Sequence, residues 1–218
     1  MGRRGTGDRV ARLMAGERDI LEELGALLPL HRADWEEPLG TGKWPQAAVL
    51  VALTREAEPC VLLGRRALHL PLHPGEIAFA GGKREVEDSS PWETALREAL
   101  EEVGIRREHV TALGELEPLI TRTGFEVYPC IASVPAGLDL IVDPSEFDSV
   151  FMPALRRFAD RSIFRLEEFA EGAHTRMVPH YQIGEDNVWG VTAAILVQLV
   201  NLAYDARFEL QRNWGVEP

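Results

Sequence analysis

The hydrophobic residues of the chain follow a helical period first and strand-like runs afterwards. Over residues 8–30 they recur at helical intervals between acids and arginines, which predicts a helix with a break near Gly16. Residues 31–45 are rich in proline and glycine and predict an irregular connector. Two continuous apolar runs follow, at residues 47–53 and 60–63, and the polar turn between them predicts a hairpin of buried strands.

The second half of the chain interleaves strand and helix patterns without an internal repeat. Strands are predicted at residues 110–116, 125–134, 150–152 and 176–183, and helices at 153–158 and 188–204. This order favours a mixed β-sheet that is covered by helices on both faces.

The composition is that of a globular protein of modest size. Apolar residues make up 45% and charged residues 27% of the 218 positions, which is ordinary for a chain with one main core. We predict an N-terminal helical extension and connector over residues 1–45, one α/β domain over 46–206 and a C-terminal tail over 207–218.

Net charge and cysteine content exclude several classes of protein. The formal net charge of -12 disfavours a protein that binds nucleic acid through a broad basic surface. Cys60 and Cys130 stand far apart, without the spacing of a zinc knuckle or a disulfide framework, so a reducing, cytoplasmic location fits best. We find no apolar stretch long enough for a signal peptide or a membrane span, and predict no membrane association.

Local signals place a helix inside residues 81–105. Ser90 is a suitable N-cap, Pro91 suits the first helical position, Glu93 completes a capping box, and Gly104 marks the end. At 100° per residue, one arc of this helix is apolar, consisting of Ala95, Leu96, Ala99, Leu100 and Val103.

A second arc of the same helix carries Glu98, Glu101 and Glu102. Like charges at these spacings cost about 0.2–0.5 kcal/mol per pair, so the cluster is unfavourable unless a cation offsets the repulsion. Carboxylate oxygens suit Mg²⁺ or Mn²⁺, which bridge phosphate oxygens and lower the pKa of a bound water. An ordinary solvated acidic face is the alternative interpretation of the three glutamates alone.

The full pattern resembles the Nudix box. Its members stand in order as Gly81-Gly82, Asp88, Arg97-Glu98, Glu101-Glu102 and Gly104-Ile105. The resemblance implies an alpha-beta-alpha sandwich with a mixed sheet and a loop-helix-loop catalytic motif, and a hydrolase that cleaves diphosphate bonds in nucleotide-containing small molecules with Mg²⁺ or Mn²⁺.

The same resemblance assigns roles to the box residues. Glu98 and Glu102 are implied as the main metal ligands, while Glu101 either shares a metal or deprotonates the attacking water. Arg97 is implied to orient these carboxylates by ion pairing. A base from a later loop is the alternative, with Glu115 and Glu117 as candidates.

Four basic residues are candidates for binding the substrate phosphates. Arg65 and Arg66 follow an apolar run and suit an anion at a strand end, although a solvated strand terminus is an equal alternative. Lys83 and Arg84 add positive charge directly after the glycine pair, whose turn would let the backbone approach metal or phosphate closely.

One extra residue between Gly82 and Arg97 resembles the coenzyme A diphosphatase branch of the family. An upstream motif supports this resemblance through Leu62, Leu63, Arg66, Ala67, Gly75, Phe79, Gly81 and Gly82. The chain departs from that motif at three positions, with Gly64 in place of threonine, Pro71 in place of arginine and Ala80 in place of proline.

The branch implies a substrate and leaves alternatives. Coenzyme A or its acyl derivatives would be cleaved to phosphopantetheine and adenosine bisphosphate. Other nucleoside diphosphate derivatives, such as ADP-ribose, NADH or a nucleotide sugar, stay open, as does a nucleotide-binding module without catalysis. The N-terminal helix and the habits of the family also suggest a homodimer.

Overall fold

A five-stranded mixed sheet forms the centre of the computed structural model, which describes residues 19–30, 35, 38–171 and 174–210. Its strands are β1 (Gln46–Thr54), β4 (Ala80–Lys83), β5 (Thr111–Glu115), β6 (Leu119–Ile120) and β7 (Glu126–Val134). The order is β4-β1-β7-β5, with β6 also on β7; β1 and β7 are parallel and the other pairs antiparallel.

Two three-stranded antiparallel sheets flank the central sheet. The first contains β2 (Leu63–Arg66), β3 (Ile77–Ala78) and β8 (Phe147–Phe151), in the order β3-β2-β8. The second contains β9 (Phe164–Glu171), β10 (His174–Ile183) and β11 (Asp186–Trp189), in the order β11-β10-β9.

The predicted hairpin of residues 47–53 and 60–63 was wrong beyond its turn. Only a single bridge, Leu53 to Val61, and adjacent hydrogen bonds join the two segments. The second segment continues into β2, which belongs to a different sheet. The strands that pair with β1 along its two edges are β4 and β7.

Three α-helices complete the described chain: α1 (Ile20–Leu27), α2 (Pro91–Val103) and α3 (Gly190–Tyr204). Short 3-10 turns lie at Arg107–His109, Leu155–Ala159 and Arg161–Ile163. The Asp19 carboxylate caps α1 by accepting from the Leu21 and Glu22 amides. The predicted part of this helix before residue 19, most of the connector at 31–37 and the tail after 210 lie outside the described residues. No helix among those described has the length and apolar character to span a bilayer.

Alternating side chains of β1 pack into two hydrophobic cores, one on each face of the sheet. Val51 and Leu53 pack in one core with α1 and α3, and Ala48 and Leu50 pack in the other with α2. The central sheet therefore lies between helices on both faces, which confirms the predicted α/β sandwich.

Gly64 explains one departure from the upstream motif. A Cβ atom built on Gly64 would lie 2.4 Å from the ring of Phe147, which is 1% exposed and fixed in the core. Because no larger side chain fits beside this ring, threonine is excluded at position 64 while Phe147 keeps its place.

Candidate active site

The local signals for helix α2 were correct at both ends. Ser90 Oγ accepts a hydrogen bond from the Glu93 amide at 3.2 Å, and Pro91 takes the first helical position. Gly104 ends the helix in the left-handed conformation, at φ 72°. The predicted capping box was wrong at Glu93, because its carboxylate pairs with Arg107 and the side-chain cap comes from Ser90.

The apolar arc of α2 is narrower than predicted. Ala95, Ala99 and Val103 are buried against the sheet, but Leu100 is 50% exposed. At 100° per residue, Leu100 lies at one edge of the predicted arc.

The three glutamates of the second arc have very different environments. Glu102 is 4% exposed, the Glu98 side chain is 16% exposed, and the Glu101 side chain is 58% exposed. Burial raises the pKa of Glu102 to about 8, against a hydrogen bond from the Gly81 amide and with the added repulsion of Glu98 and Glu146. Burial also raises the pKa of Glu98, although Arg97 opposes this shift.

The glycine pair forms part of strand β4, so the predicted turn at Gly81-Gly82 was wrong. The predicted close approach is present, but its partners are carboxylates. Gly81 donates its amide hydrogen to Glu102 Oε2 at 2.9 Å. A Cβ atom on Gly82 would lie 2.2 Å from Glu98 Oε1, so only glycine leaves room for this carboxylate.

Arg97 stands at the centre of the acidic groups. Its guanidinium lies 3.0 Å from Glu98 Oε1 and 3.3 Å from Glu101 Oε2, and also donates to the Lys83 carbonyl. Two further hydrogen bonds, at 3.0 and 3.2 Å, reach the Asp88 carboxylate. This geometry suits an arginine that fixes the carboxylates and joins α2 to the loop before it.

Asp88 is the anchor of that loop. Its side chain is 5% exposed and accepts from the Glu85 amide and the Thr94 hydroxyl as well as from Arg97. Burial alone would raise the pKa of Asp88, but the hydrogen bonds, chiefly from Arg97, outweigh it and hold the pKa below its ordinary value.

The chemistry of the acidic residues fits a hard divalent cation, since their donors are all carboxylate oxygens at a buried sheet edge. Within the described part of the chain, no group of three or more His, Cys, Asp or Glu residues is assembled so as to hold a metal ion. Two of these carboxylates, those of Glu98 and Glu101, are ion-paired with Arg97.

A cavity of about 430 Å³ opens on the other side of strand β4. Its wall comes from strands β1 to β4, β7 and β9 to β11, from the loops before β3 and β7, and from the first two turns of α3. Gly81 and Gly82 line it as well, so the same two residues touch both the glutamates and the cavity.

Two of the four predicted basic residues, Arg66 and Lys83, line this cavity. Arg65 instead forms an ion pair with Asp186 at 2.6 Å. Arg84 donates to Gln46 and lies over the ring of Trp35, at 4.8 Å from its centroid, on the α2 side of the sheet.

Sequence reasoning missed two cationic residues of the cavity, Arg122 and Arg176. Arg122 lies in a short polar loop between two predicted strands, and nothing in its local sequence marks it as a binding residue. Arg176 comes from strand β10, which the fold brings to the site from a distant part of the chain.

The two alternative bases differ in their surroundings. Glu115 is 6% exposed and accepts a hydrogen bond from Trp92 Nε1 at 2.8 Å. Glu117 is exposed at the end of strand β5. Neither residue lines the cavity.

Comparison with known proteins assigns the chain that carries these residues to a protein family. The model of the NUDIX domain matches residues 44–181, which include the acidic helix, the glycine pair and most of the cavity wall. The chain belongs to the Nudix hydrolase family. As a Nudix hydrolase it acts on diphosphate bonds, and members of the family generally use divalent metals such as Mg²⁺ or Mn²⁺.

Its similar relatives carry the same family name. Nudix hydrolase NudL of Photorhabdus laumondii is 36% identical over 70% of this chain and 82% of the relative. NudL of Yersinia enterocolitica is 38% identical over 72% of this chain and 82% of the relative. Among solved structures, an Ap4A hydrolase from C. elegans is 23% identical, with a TM-score of 0.44 over 50% of this Nudix chain and 80% of that one.

Proposed function

We propose that this Nudix hydrolase cleaves the diphosphate of coenzyme A or its acyl derivatives, releasing phosphopantetheine and adenosine bisphosphate. The extra residue in the box and the upstream motif, both of which resemble the coenzyme A diphosphatase branch, carry the proposal. The arrangement of the site supports it, because the buried glutamates and the cavity meet at the same glycine pair.

Glu98 and Glu102 are the proposed ligands of Mg²⁺ or Mn²⁺. Glu101, which is more exposed, either shares the metal or deprotonates the attacking water. When bound, the metal neutralises charge on the diphosphate and lowers the pKa of the attacking water.

The cationic residues divide into two groups. Arg97 acts as a positioning residue, since its contacts are with carboxylates and with the Lys83 carbonyl. Arg66 and Lys83, which line the cavity beside Gly82, are placed to bind phosphate oxygens of the substrate. Arg65 and Arg84 are directed to protein partners instead.

Product analysis tests this function directly. Purified protein with Mg²⁺ is incubated with coenzyme A, acetyl-coenzyme A, ADP-ribose, NADH and a nucleotide sugar, and the products are identified by mass spectrometry. Release of phosphopantetheine is the expected result. Cleavage of a different compound would show that this Nudix hydrolase has another substrate than coenzyme A. Cleavage of none of them would favour a nucleotide-binding module without catalysis.

A pair of matched variants tests the metal ligands. Glu102→Gln removes a ligand charge, so we expect turnover to fall by more than about 100-fold, beyond the effect of groups that only orient ligands. Its fold should persist, because a neutral amide costs less to bury than a carboxylate. Glu93→Gln makes the same change on the same helix, at the surface pair with Arg107, and should retain activity. Full activity of Glu102→Gln at saturating Mg²⁺ contradicts the assignment.

A further inference from the structure

The wall of the cavity is mainly apolar. Val127, Val178 and Ile195 are at most 7% exposed and line it. Most of the surface that the cavity presents is apolar, although charged and polar side chains, among them His73 and Glu76, also line it. Placing a phosphate or another charged group in such a space would cost several kcal/mol without a paired partner. The apolar part of the cavity therefore suits an uncharged part of a ligand.

Four cationic side chains also line this space: Arg66, Lys83, Arg122 and Arg176. Arg66 and Lys83 stand next to the glycine pair, where the cavity approaches the glutamates. A substrate whose diphosphate lies at Gly81 and Gly82 would meet these cations with its phosphates. The group that is attached to the diphosphate would then lie in the apolar part of the cavity.

The mouth of the cavity exposes apolar surface to water. Leu72 is 69% exposed and Phe169 is 42% exposed, yet both line the opening. Exposed apolar groups at the rim of an apolar pocket are typical of a binding site, because a ligand that covers them gains from their removal from water.

Two aromatic rings of the wall are already covered by cations. The Lys83 ammonium lies 5.2 Å from the centroid of Phe125, and the Arg122 guanidinium lies 5.8 Å from that of Phe169. A flat nucleotide base would have to displace these cations in order to stack on the rings. A flexible aliphatic arm only needs apolar contact and leaves both pairs in place.

We infer that the cavity is a specificity pocket for an uncharged, mainly aliphatic arm attached to the substrate diphosphate, and that Leu72 and Phe169 set the preferred arm length. The inference rests on the proposed function for the identity of the reacting group, and it adds which derivatives are preferred. Each methylene group that enters the pocket should strengthen binding about threefold to fourfold until the space is full.

The first test compares acyl chain lengths. Values of kcat/KM are measured for coenzyme A and its acetyl, butyryl, hexanoyl and octanoyl thioesters with Mg²⁺. We expect the increase with chain length to come from KM, with kcat nearly constant. Equal KM values for all five compounds would overturn the pocket and leave the diphosphatase function standing.

Variants at the mouth provide the control. The double variant Leu72→Gln/Phe169→Gln should lose most of the chain-length dependence, at least about tenfold for the octanoyl thioester relative to the acetyl thioester. Leu68→Gln changes a leucine of the same loop that is 73% exposed and does not line the cavity, so it should keep the wild-type dependence. Equal effects of the two changes contradict the inference.

A binding experiment without metal separates the two proposals. Hexyl phosphate and methyl phosphate are titrated calorimetrically, and we expect hexyl phosphate to bind at least tenfold more tightly. If no coenzyme A compound is cleaved but this difference persists and is lost in the double variant, the proposed function fails and the pocket stands. Equal binding of the two phosphates, or displacement of hexyl phosphate by adenosine, overturns the pocket.

Discussion

Arg65 and Arg66 are adjacent in strand β2, but their side chains have separate partners. Successive side chains of a strand point to opposite sides, and the pairing of β2 with β8 shifts register between these two residues. Arg65 reaches Asp186 on β11, whereas Arg66 lines the cavity and lies 3.8 Å from Glu146. Two identical residue types therefore have different expected roles.

Glutamine substitutions separate these roles. Arg66→Gln should raise KM about tenfold to 100-fold, because a charged hydrogen bond to phosphate is worth about 1.5–3 kcal/mol. Arg65→Gln should leave KM within about twofold and lower the free energy of unfolding by at most about 1 kcal/mol, since Arg65 is 40% exposed. Steady-state kinetics and urea unfolding measure both. A similar rise in KM for the two variants would show that Arg65 also binds substrate.

At the scale of elements, Asp88 joins the loop before α2 to the helix itself. Asp88→Asn keeps the shape but removes the charge that receives Arg97, so we expect a loss of about 2–3 kcal/mol in the free energy of unfolding at pH 7. Activity should fall as well, because Arg97 also holds Glu98. An unchanged unfolding midpoint in urea would contradict this anchor role.

The contribution of Asp88 depends on pH with a defined sign. Its pKa in the folded state lies below the ordinary 3.8, so the unfolded chain binds a proton first as the pH falls. The stabilisation is complete above about pH 5 and disappears as the pH falls through 3.8 and then through the lower folded value. Urea unfolding at a series of pH values should therefore show wild type and Asp88→Asn converging in acid, while a constant difference contradicts the assignment.

Helix α2 was predictable because its boundary signals are local. Ser90, Pro91 and Gly104 act on the helix within one turn, without help from the rest of the fold. Strand β4 was not predictable from such signals, because glycine has a low strand propensity. Gly81 and Gly82 adopt strand conformation through their antiparallel pairing with β1.

The site was predictable to the extent that one helix carries it. The spacing of Glu98 and Glu102 places them on one face, but their unequal burial depends on how β4 lies against the helix. The cavity was not predictable, because Arg66, Arg122 and Arg176 approach it from three different sheets or loops.

At the scale of the whole molecule, helix α1 is part of the main core. Leu24 is fully buried in the same cluster as α3 and the central sheet, and the Glu115 amide donates to the Pro29 carbonyl just after the helix. Gly114 has to be small there, since a Cβ atom would lie 2.4 Å from Leu28 Cβ. Residues 20–29 thus pack against the central domain that follows them.

A cavity variant tests this integration. Leu24→Ala should lower the free energy of unfolding by about 2–5 kcal/mol, as for other fully buried leucines. Since α1 does not line the substrate cavity, kcat and KM should change little below the unfolding transition. Leu27→Ala, at a position 60% exposed on the same helix, is the control and should cost little. Equal losses for both variants would indicate that α1 contributes helix stability alone.

The close contact between Gly64 and Phe147 means that the residue types at these two sheet positions depend on each other. A relative with threonine at position 64 would need a smaller side chain at position 147, or a different orientation of the ring there. A relative with glycine at position 64 has room for the phenylalanine ring. We therefore expect the two positions to covary among Nudix hydrolases, and replacing one of them without the other should carry a packing penalty.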